Sequence, residues 1–541
     1  MTKQSFIKGA MILLVAGIVN RILGFIPRIT LPRIIGAEGV GIYQLSYPFL
    51  IVLLTFITGG IPLAIAKWIA EAQTRQDYAA VQKIFRTAMT IAVTAALVLT
   101  AIMLFFAPYI IKYVIPDERV YQSFLVMSPL LLIIGISSVY RGYFQGLQNM
   151  LPNAFAQTLE TVLRIIFSLT LAYFLLPYGL HWGAAGAMGG VVVGELGSLI
   201  YMYSCYRKQQ AIGKHTKTEL FSISEEIGPT EELHAHTFKQ SKTSITDSSK
   251  KNTTTKILGV AIPVTGSRIV GSLSYLLESI FTARSLAIAG IATGLATAQY
   301  GALQGMIMPL ILLPTALTYS LAVSLVPSLS EAAAQKQYGM IQKRLHQSMK
   351  ISLVAGAPIA ILMFIFATPI CELLYAHGEY GPYLKLLAPI GIFIYLQAPL
   401  QATLQALDKP GIALFNTLIG ATVKIGLIIT LASIPSLGIK GAIIAIAANT
   451  ILVTLLHAFA VWRYIGFSMK LLDIVKVIAS MFISGAFALY VWYELLFLQQ
   501  WLILIISSFT LIIVYLFLMF LTKMIDKSDL IRIPYVGKWF A

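Results

Sequence analysis

Five basic residues stand inside long apolar stretches of this 541-residue chain: Arg21, Arg28, Arg164, Arg268 and Lys424. An ionisable group at bilayer depth costs at least about 2.5–3.5 kcal/mol on insertion scales, so such groups face a bundle interior or a wet cavity. Arg21 and Arg28 are seven residues apart, two turns of a helix, and share a face with Gly24, where the missing side chain lets a backbone or a ligand approach. A guanidinium fork matches phosphate oxygens in bidentate geometry and keeps its charge, so a cavity lined by such arginines suits an anion, diphosphate above all. The acidic set at the same depth is smaller: Glu160, Glu195 and Glu278. The competing reading is structural, with the cations paired to these carboxylates; Glu160 and Arg164 are one helical turn apart and can pair within one helix. Both readings stay open for Arg164 and for Arg28, which follows Pro27 near a helix break.

The elements that must carry these charges are transmembrane helices. Hydrophobic residues make up 58% of the chain and charged residues 11%, against about 25% charged in a soluble protein. Apolar runs near the length that spans hydrocarbon recur from Ile7 to Leu521, whereas a β-barrel would alternate apolar and polar residues. The expected fold is an all-α polytopic membrane protein with fourteen spans, near 7–33, 40–66, 85–112, 120–144, 153–177, 183–206, 257–283, 296–326, 347–375, 383–406, 412–432, 439–462, 472–494 and 499–521. Lys3 and Lys8 precede the first run, but arginines follow within it and no small-residue cleavage site closes it, so it reads as a retained helix.

Basic residues set the topology. With the N-terminus inside, the inside segments hold 28 of the 39 lysines and arginines; the outside holds six, namely Arg33, Lys112, Arg119, Arg284, Lys385 and Lys440. Both termini and the polar stretch 207–256 are then cytoplasmic. This distribution accounts for the net charge of +17 through insertion and removes it as a sign of nucleic-acid binding.

An internal repeat organises the chain. Glu71, Ala72, Tyr78, Gln82, Lys83 and Met89 recur as Glu331, Ala332, Tyr338, Gln342, Lys343 and Met349 at a constant offset of 260. Asn20-Arg21-Ile22-Leu23-Gly24 pairs with Ser267-Arg268-Ile269-Val270-Gly271, and Gly186-Ala187 pairs with Gly441-Ala442. The chain therefore reads as an N-lobe over 1–206, a cytoplasmic linker over 207–256, a C-lobe over 257–463, and a segment 464–541 holding two further helices and a cytoplasmic tail. Six helices per lobe give both lobes one orientation, with a cavity between them, an architecture of secondary transporters. Arg268 is the repeat equivalent of Arg21, which favours a ligand role for this pair; Arg164 and Lys424 fall one or two residues apart by local alignment.

Other functions find little support. Cys205 and Cys371 show no metal spacing and no disulfide framework. His234 and His236 lack further ligands nearby. No P-loop pattern is present, so direct ATP use is not expected. His377 and Glu379 are the densest polar group outside, short of the carboxylate cluster a membrane glycosyltransferase or phosphatase needs. A multidrug exporter remains the alternative; it would need carboxylates free to exchange protons or sodium.

The segments NRILGFIPRITLPRIIGAEGVGIYQL, GGIPLAIAKWIAEA and RGYFQGLQNMLPNAFAQTLE resemble the polysaccharide transporter branch of the multidrug/oligosaccharidyl-lipid/polysaccharide (MOP) exporters, the group around stage V sporulation protein B, related to the MurJ flippases. The resemblance runs over essentially the whole chain. It implies two six-helix lobes in a V shape plus two extra helices forming a groove for a polyprenyl tail, alternating access, and transport of an undecaprenyl-diphosphate glycan, with the peptidoglycan precursor lipid II as leading cargo. It also implies a protein of the bacterial plasma membrane acting as a monomer near cell-wall synthesis enzymes, with no cofactor and coupling to the membrane potential, Na⁺ or H⁺. In those relatives arginines of the first and seventh helices line the cavity. Arg21 and Arg268 match by position, and Arg28 lies about one residue from a second such site. The expected substrate-binding set is thus Arg21, Gly24, Arg28, Arg164, Arg268 and Lys424. The second-helix arginines of Gram-negative MurJ proteins have no match, since Leu50 to Phe56 is uncharged.

Overall fold

A computed structural model describes residues 6–226 and 252–525; most of the linker, including His234 and His236, and the C-terminal tail lie outside them. The described residues form helices in the order α1 (Phe6–Leu23), α2 (Phe25–Thr58), α3 (Ile61–Thr74), α4 (Tyr78–Tyr113), α5 (Val120–Gly146), α6 (Leu151–Leu175), α7 (Leu180–Glu226) and α8 (Thr253–Ile288). Next come α9 (Thr293–Ile311), α10 (Thr315–Ala334), α11 (Tyr338–Ile365), α12 (Ala367–Tyr375) and α13 (Gly381–Leu387). The series ends with α14 (Gly391–Ala406), α15 (Pro410–Leu431), α16 (Ile439–Ile465), α17 (Leu471–Glu494) and α18 (Gln500–Leu521). No strand occurs among the described residues, as backbone in hydrocarbon requires, where every amide must be satisfied within its own segment.

Ten described helical stretches are long and apolar enough to cross a bilayer, thirteen when each of three bent pairs counts as one span. One stretch, Val15–Thr74, is 60 residues long; at about 1.5 Å per residue that is roughly twice a bilayer's total thickness. Fourteen spans, with 7–33 and 40–66 as two crossings of that stretch, are compatible with these helices. Breaks fall where the backbone demands them: Gly24 interrupts α1 and α2, and Gly36, at φ 66°, kinks α2 in a conformation costly for other residues. Helix α7 runs past 206 to Glu226, and α8 starts at Thr253 rather than 257.

Contacts divide the chain into two compact units, Met1–Pro27 with Ser46–Tyr113 and Glu118–Leu276, and Arg28–Leu45 with Val114–Asp117 and Leu277–Ala541. The division passes through α2 and α8, so each of these helices contributes to both units.

The repeat is present in the backbone of each unit. Gln76 and Gln148 in the first unit, and Lys336 and Asp408 in the second, adopt left-handed φ angles of 55–57°, each pair 260 residues apart. The same helix-ending hydrogen bonds recur: Asp77 N–H donates to Ala72 C=O and Gln337 to Ala332, while Asn149 donates to Phe144 and Lys409 to Leu404. These six-to-one bonds satisfy carbonyls that a helix end otherwise orphans. The cores match as well. Ile65, Ile69, Ala72, Val81, Phe85, Tyr140 and Phe144 cluster in the first unit, and their counterparts Leu325, Leu329, Ala332, Ile341, Leu345, Leu400 and Leu404 in the second.

Within a bilayer, apolar side chains gain little by leaving lipid, so close backbone approach through small residues carries much of the helix association. Gly186, Gly190 and Gly194 of α7 recur every fourth residue and abut α6. A Cβ would lie 2.6 Å from Leu171 O at Gly186, 2.1 Å from Ser168 N at Gly190 and 2.8 Å from Glu160 O at Gly194. In the second unit Gly441 meets the Leu431 carbonyl of α15 at 2.5 Å, the repeat of the Gly186 contact. There α9 carries a π-helical turn, Ala302–Ile307, a geometry frequent at functional sites. Its Gly301 lies against α2, where a Cβ would come within 2.2 Å of Ala37 O.

Candidate functional site: charges at membrane depth

The glycine-mediated contact of α6 with α7 brings Glu160 and Glu195 together. Arg141 of α5 reaches both, at 3.2 Å to each carboxylate, and Arg164 reaches the other oxygen of Glu160 at 3.1 Å. Two guanidinium groups therefore face two carboxyl groups that are each about nine-tenths buried, a formal balance of two cations and two acids. Arg141 lies near the end of α5 and reads from the sequence as an inside-loop cation; only the approach of three helices reveals it as the bridge.

In the second unit Lys424 of α15 donates from Nζ to Glu278 of α8 at 2.5 Å, and Gln304, in the π turn of α9, donates to the other Glu278 oxygen at 2.8 Å. Lys424 is buried, as is Glu278. The offset of 260 that holds at Gln148 and Asp408 also relates Arg164 to Lys424, which makes them equivalent positions. Their counter-ions are not equivalent. Glu160 belongs to the same helix as Arg164, whereas Glu278 comes from α8, 146 residues from Lys424. Gln304 carried no sequence signal, because an amide in an apolar helix looks the same whether it faces a carboxylate or a backbone.

The remaining three cations differ. Arg21 on α1 and Arg268 on α8 are exposed and belong to the first unit, and Arg28 on α2 is exposed and belongs to the second. None of the three has an ion pair among the described residues. Arg21 precedes the Gly24 interruption by less than one turn, and Arg268 opens the second segment of α8, bent 41° from the first. At Gly24 itself an added Cβ would meet only its own helix, 3.0 Å from Asn20 O. The structure thus joins Arg164 and Lys424 to carboxylates and leaves Arg21, Arg28 and Arg268 without one among the described residues. No cluster of three or more His, Cys, Asp or Glu that could hold a metal occurs among the described residues.

The fold is that of MOP transporters. It matches a solved lipid II flippase MurJ in an inward closed conformation with a TM-score of 0.66 at 16% identity, covering 96% of this chain and 100% of that one. It also matches an inward-facing multidrug resistance MATE family transporter with a TM-score of 0.59 at 15% identity, covering 82% and 94%. Residues 6–230 match the family described as polysaccharide biosynthesis protein, and residues 272–430 match MatE. Stage V sporulation protein B of Bacillus subtilis (strain 168) is 40% identical over 99% of both chains. The lipid II flippase MurJ of the same organism is 24% identical over 87% of this chain and 85% of its own. The chain belongs to the stage V sporulation protein B family, within the polysaccharide transporter branch of the MOP exporters. Membership places it among multi-pass membrane transporters, not enzymes.

Proposed function

We propose that the chain is a flippase that moves an undecaprenyl-diphosphate-linked glycan precursor, lipid II foremost, from the cytoplasmic to the outer leaflet. It does so by alternating access through a basic cavity. The observation that carries this reading is the split among the membrane-depth cations. Arg141, Arg164 and Lys424 are neutralised by glutamates, whereas Arg21, Arg28 and Arg268 are exposed with no carboxylate among the described residues. Uncompensated guanidinium at that depth is costly unless water or an anionic ligand meets it, and a diphosphate supplies the bidentate partner. Arg21, Arg268 and Arg28 bind the head group, with Gly24 leaving room beside it; Arg164 and Lys424 tune the field through their ion pairs. The names of two relatives, lipid II flippase MurJ and stage V sporulation protein B, support the cargo class.

The same ion pairs weigh against a drug exporter, since Glu160, Glu195 and Glu278 each already face a basic side chain of this chain. The chain needs no cofactor in this scheme and draws on the membrane potential or an Na⁺ or H⁺ gradient. It works as a monomer in the bacterial plasma membrane with both termini cytoplasmic.

The test replaces Arg21 or Arg268 with Ala in a strain lacking other flippases and measures lipid II at the outer surface. Losing one charge-assisted contact removes about 1.5–3 kcal/mol, so exposure should fall at least about tenfold. Normal exposure with a stably inserted variant overturns the role. A fall in another lipid-linked glycan with lipid II unchanged keeps the flippase and changes its cargo.

A further inference from the structure

The repeat makes one contact with itself. Gly41 and Gly301 stand at the offset of 260, as do Gln44 and Gln304, so Gly41–Gln44 of α2 and Gly301–Gln304 of α9 are equivalent segments. Where α2 crosses α9 the two glycines meet, and both are buried. A Cβ at Gly301 would lie 2.6 Å from the Gly41 Cα and would run into the Ala37 carbonyl. One at Gly41 would run into the Thr297 carbonyl. Helices in lipid come this close through residues without a side chain to hold them apart.

Thr297 also anchors a second piece of chain. Its hydroxyl donates to a carboxyl oxygen of Asp117 at 2.7 Å, and the two residues are 3% and 2% exposed. Arg284 Nε donates to the Val114 carbonyl at 3.3 Å. Ile115 is buried, and Pro116 borders a cleft with Leu45, Ala283 and Ala296. The stretch Val114–Asp117, in the connection from α4 to α5, is thus fastened to α8 and α9. By their contacts Arg28–Leu45 and Val114–Asp117 group with the second unit, whereas α2 from Ser46 onward, α4 and α5 belong to the first. Two short pieces that continue into helices of the first unit therefore converge on one threonine. Arg33, Lys112, Arg119 and Arg284, in or near these pieces, are four of the six basic residues on the side that the basic-residue count marks as outside.

We infer that this convergence is a closure on the outer side. The Gly41–Gly301 crossing shuts it, the bond from Thr297 to Asp117 straps it, and both part when the protein opens outward. The opening rests on the alternating-access reading under Proposed function, and the outer placement on the orientation given there. The chemistry suits a contact that must form and separate. Two glycines offer a backbone fit with no interlocked side chains, so parting them unpacks no core. The strap adds a buried hydrogen bond, whose two groups water can satisfy once they are apart. Glycine is needed on both helices, because a Cβ on either blocks the approach.

The experiment uses the full-length protein in intact cells, with Cys205 and Cys371 replaced and Ala296→Cys as a reporter. Ala296 is 8% exposed, so the reporter should react slowly with an impermeant maleimide. Thr297→Val removes the strap hydroxyl and Gly301→Ala wedges the crossing; each should raise the rate about tenfold, the change that 1.4 kcal/mol makes. Thr297→Ser should keep the parent rate, which separates the hydroxyl from packing. Thr297→Val carries the test should Gly301→Ala fail to insert. In a second arm, Asp117→Cys with Thr297→Cys is joined by a short bis-methanethiosulfonate. The link should abolish lipid II exposure, and dithiothreitol should restore it. A labelling rate unmoved by Thr297→Val overturns the closure, as does normal lipid II exposure with the link complete by mass spectrometry. If the unlinked protein exposes no lipid II, the cargo reading falls and labelling alone decides the closure.

Discussion

Charge at membrane depth separates residues that hold the fold from residues available to a ligand. Lys424 and Glu278 are buried and 2.5 Å apart, and removing one partner of a buried pair costs about 3–5 kcal/mol because the other charge is left unmatched. Lys424→Met should therefore lower the thermal unfolding temperature of the purified protein clearly. The double variant Lys424→Met with Glu278→Leu should recover most of the loss, since matched apolar replacement of a buried pair is often neutral. No recovery would mean that Gln304 or packing, not the pair, sets the stability. Arg21→Met should show the opposite profile: lipid II exposure lost, with thermal stability unchanged or raised. The contrast follows from Arg21 having no carboxylate to strand among the described residues.

At the scale of elements, glycine spacing brings the helices close enough for these pairs to form. A Cβ at Gly190 would lie 2.1 Å from Ser168 N, whereas one at Gly426 would meet nothing within 4 Å. Gly190→Ala should separate α6 from α7 and cost about 1–3 kcal/mol or more through overpacking, lowering both membrane yield and thermal stability. Gly426→Ala should be neutral or mildly stabilising, because alanine is the better helix former. Equal behaviour of the two would show that the α6–α7 contact relaxes freely. The glycine pattern GAAGAMGGVVVG is plain in the sequence, but its partner is not. Any neighbouring helix could have received it, and contact with α6 rather than another is what sets Glu195 beside Glu160.

For the whole molecule, the distribution of lysine and arginine, 28 inside and six outside, predicts topology. In a variant whose Cys205 and Cys371 are replaced, a single cysteine at Lys440 should react with an impermeant maleimide added to intact cells. One at Lys409 should react only after permeabilisation. The reverse pattern would invert the orientation and with it the outer placement of the Thr297 closure. The repeat also acts at this scale: core positions, turn conformations and helix-ending hydrogen bonds recur 260 residues apart, so the two units share the same local solutions. The counter-ions of Arg164 and Lys424 break that symmetry. One pair closes within α6 and the other reaches across to α8, so the two units hold their equivalent cations by different helices.

The class, the approximate spans, the repeat and the charges in apolar surroundings are all legible in the amino-acid order. Hydropathy is additive along the chain, and a charge in an apolar run carries its cost wherever its neighbours lie. Which of those charges are already paired is a property of the packed helices. Arg141 meets Glu195 across 54 residues and Lys424 meets Glu278 across 146. An ion pair depends on a few ångströms between helices that hydropathy does not encode. Arg21, Arg28 and Arg268 could be told from Arg164 and Lys424 only once that packing had set Glu160 and Glu195 beside Arg141 and Arg164, and Glu278 beside Lys424.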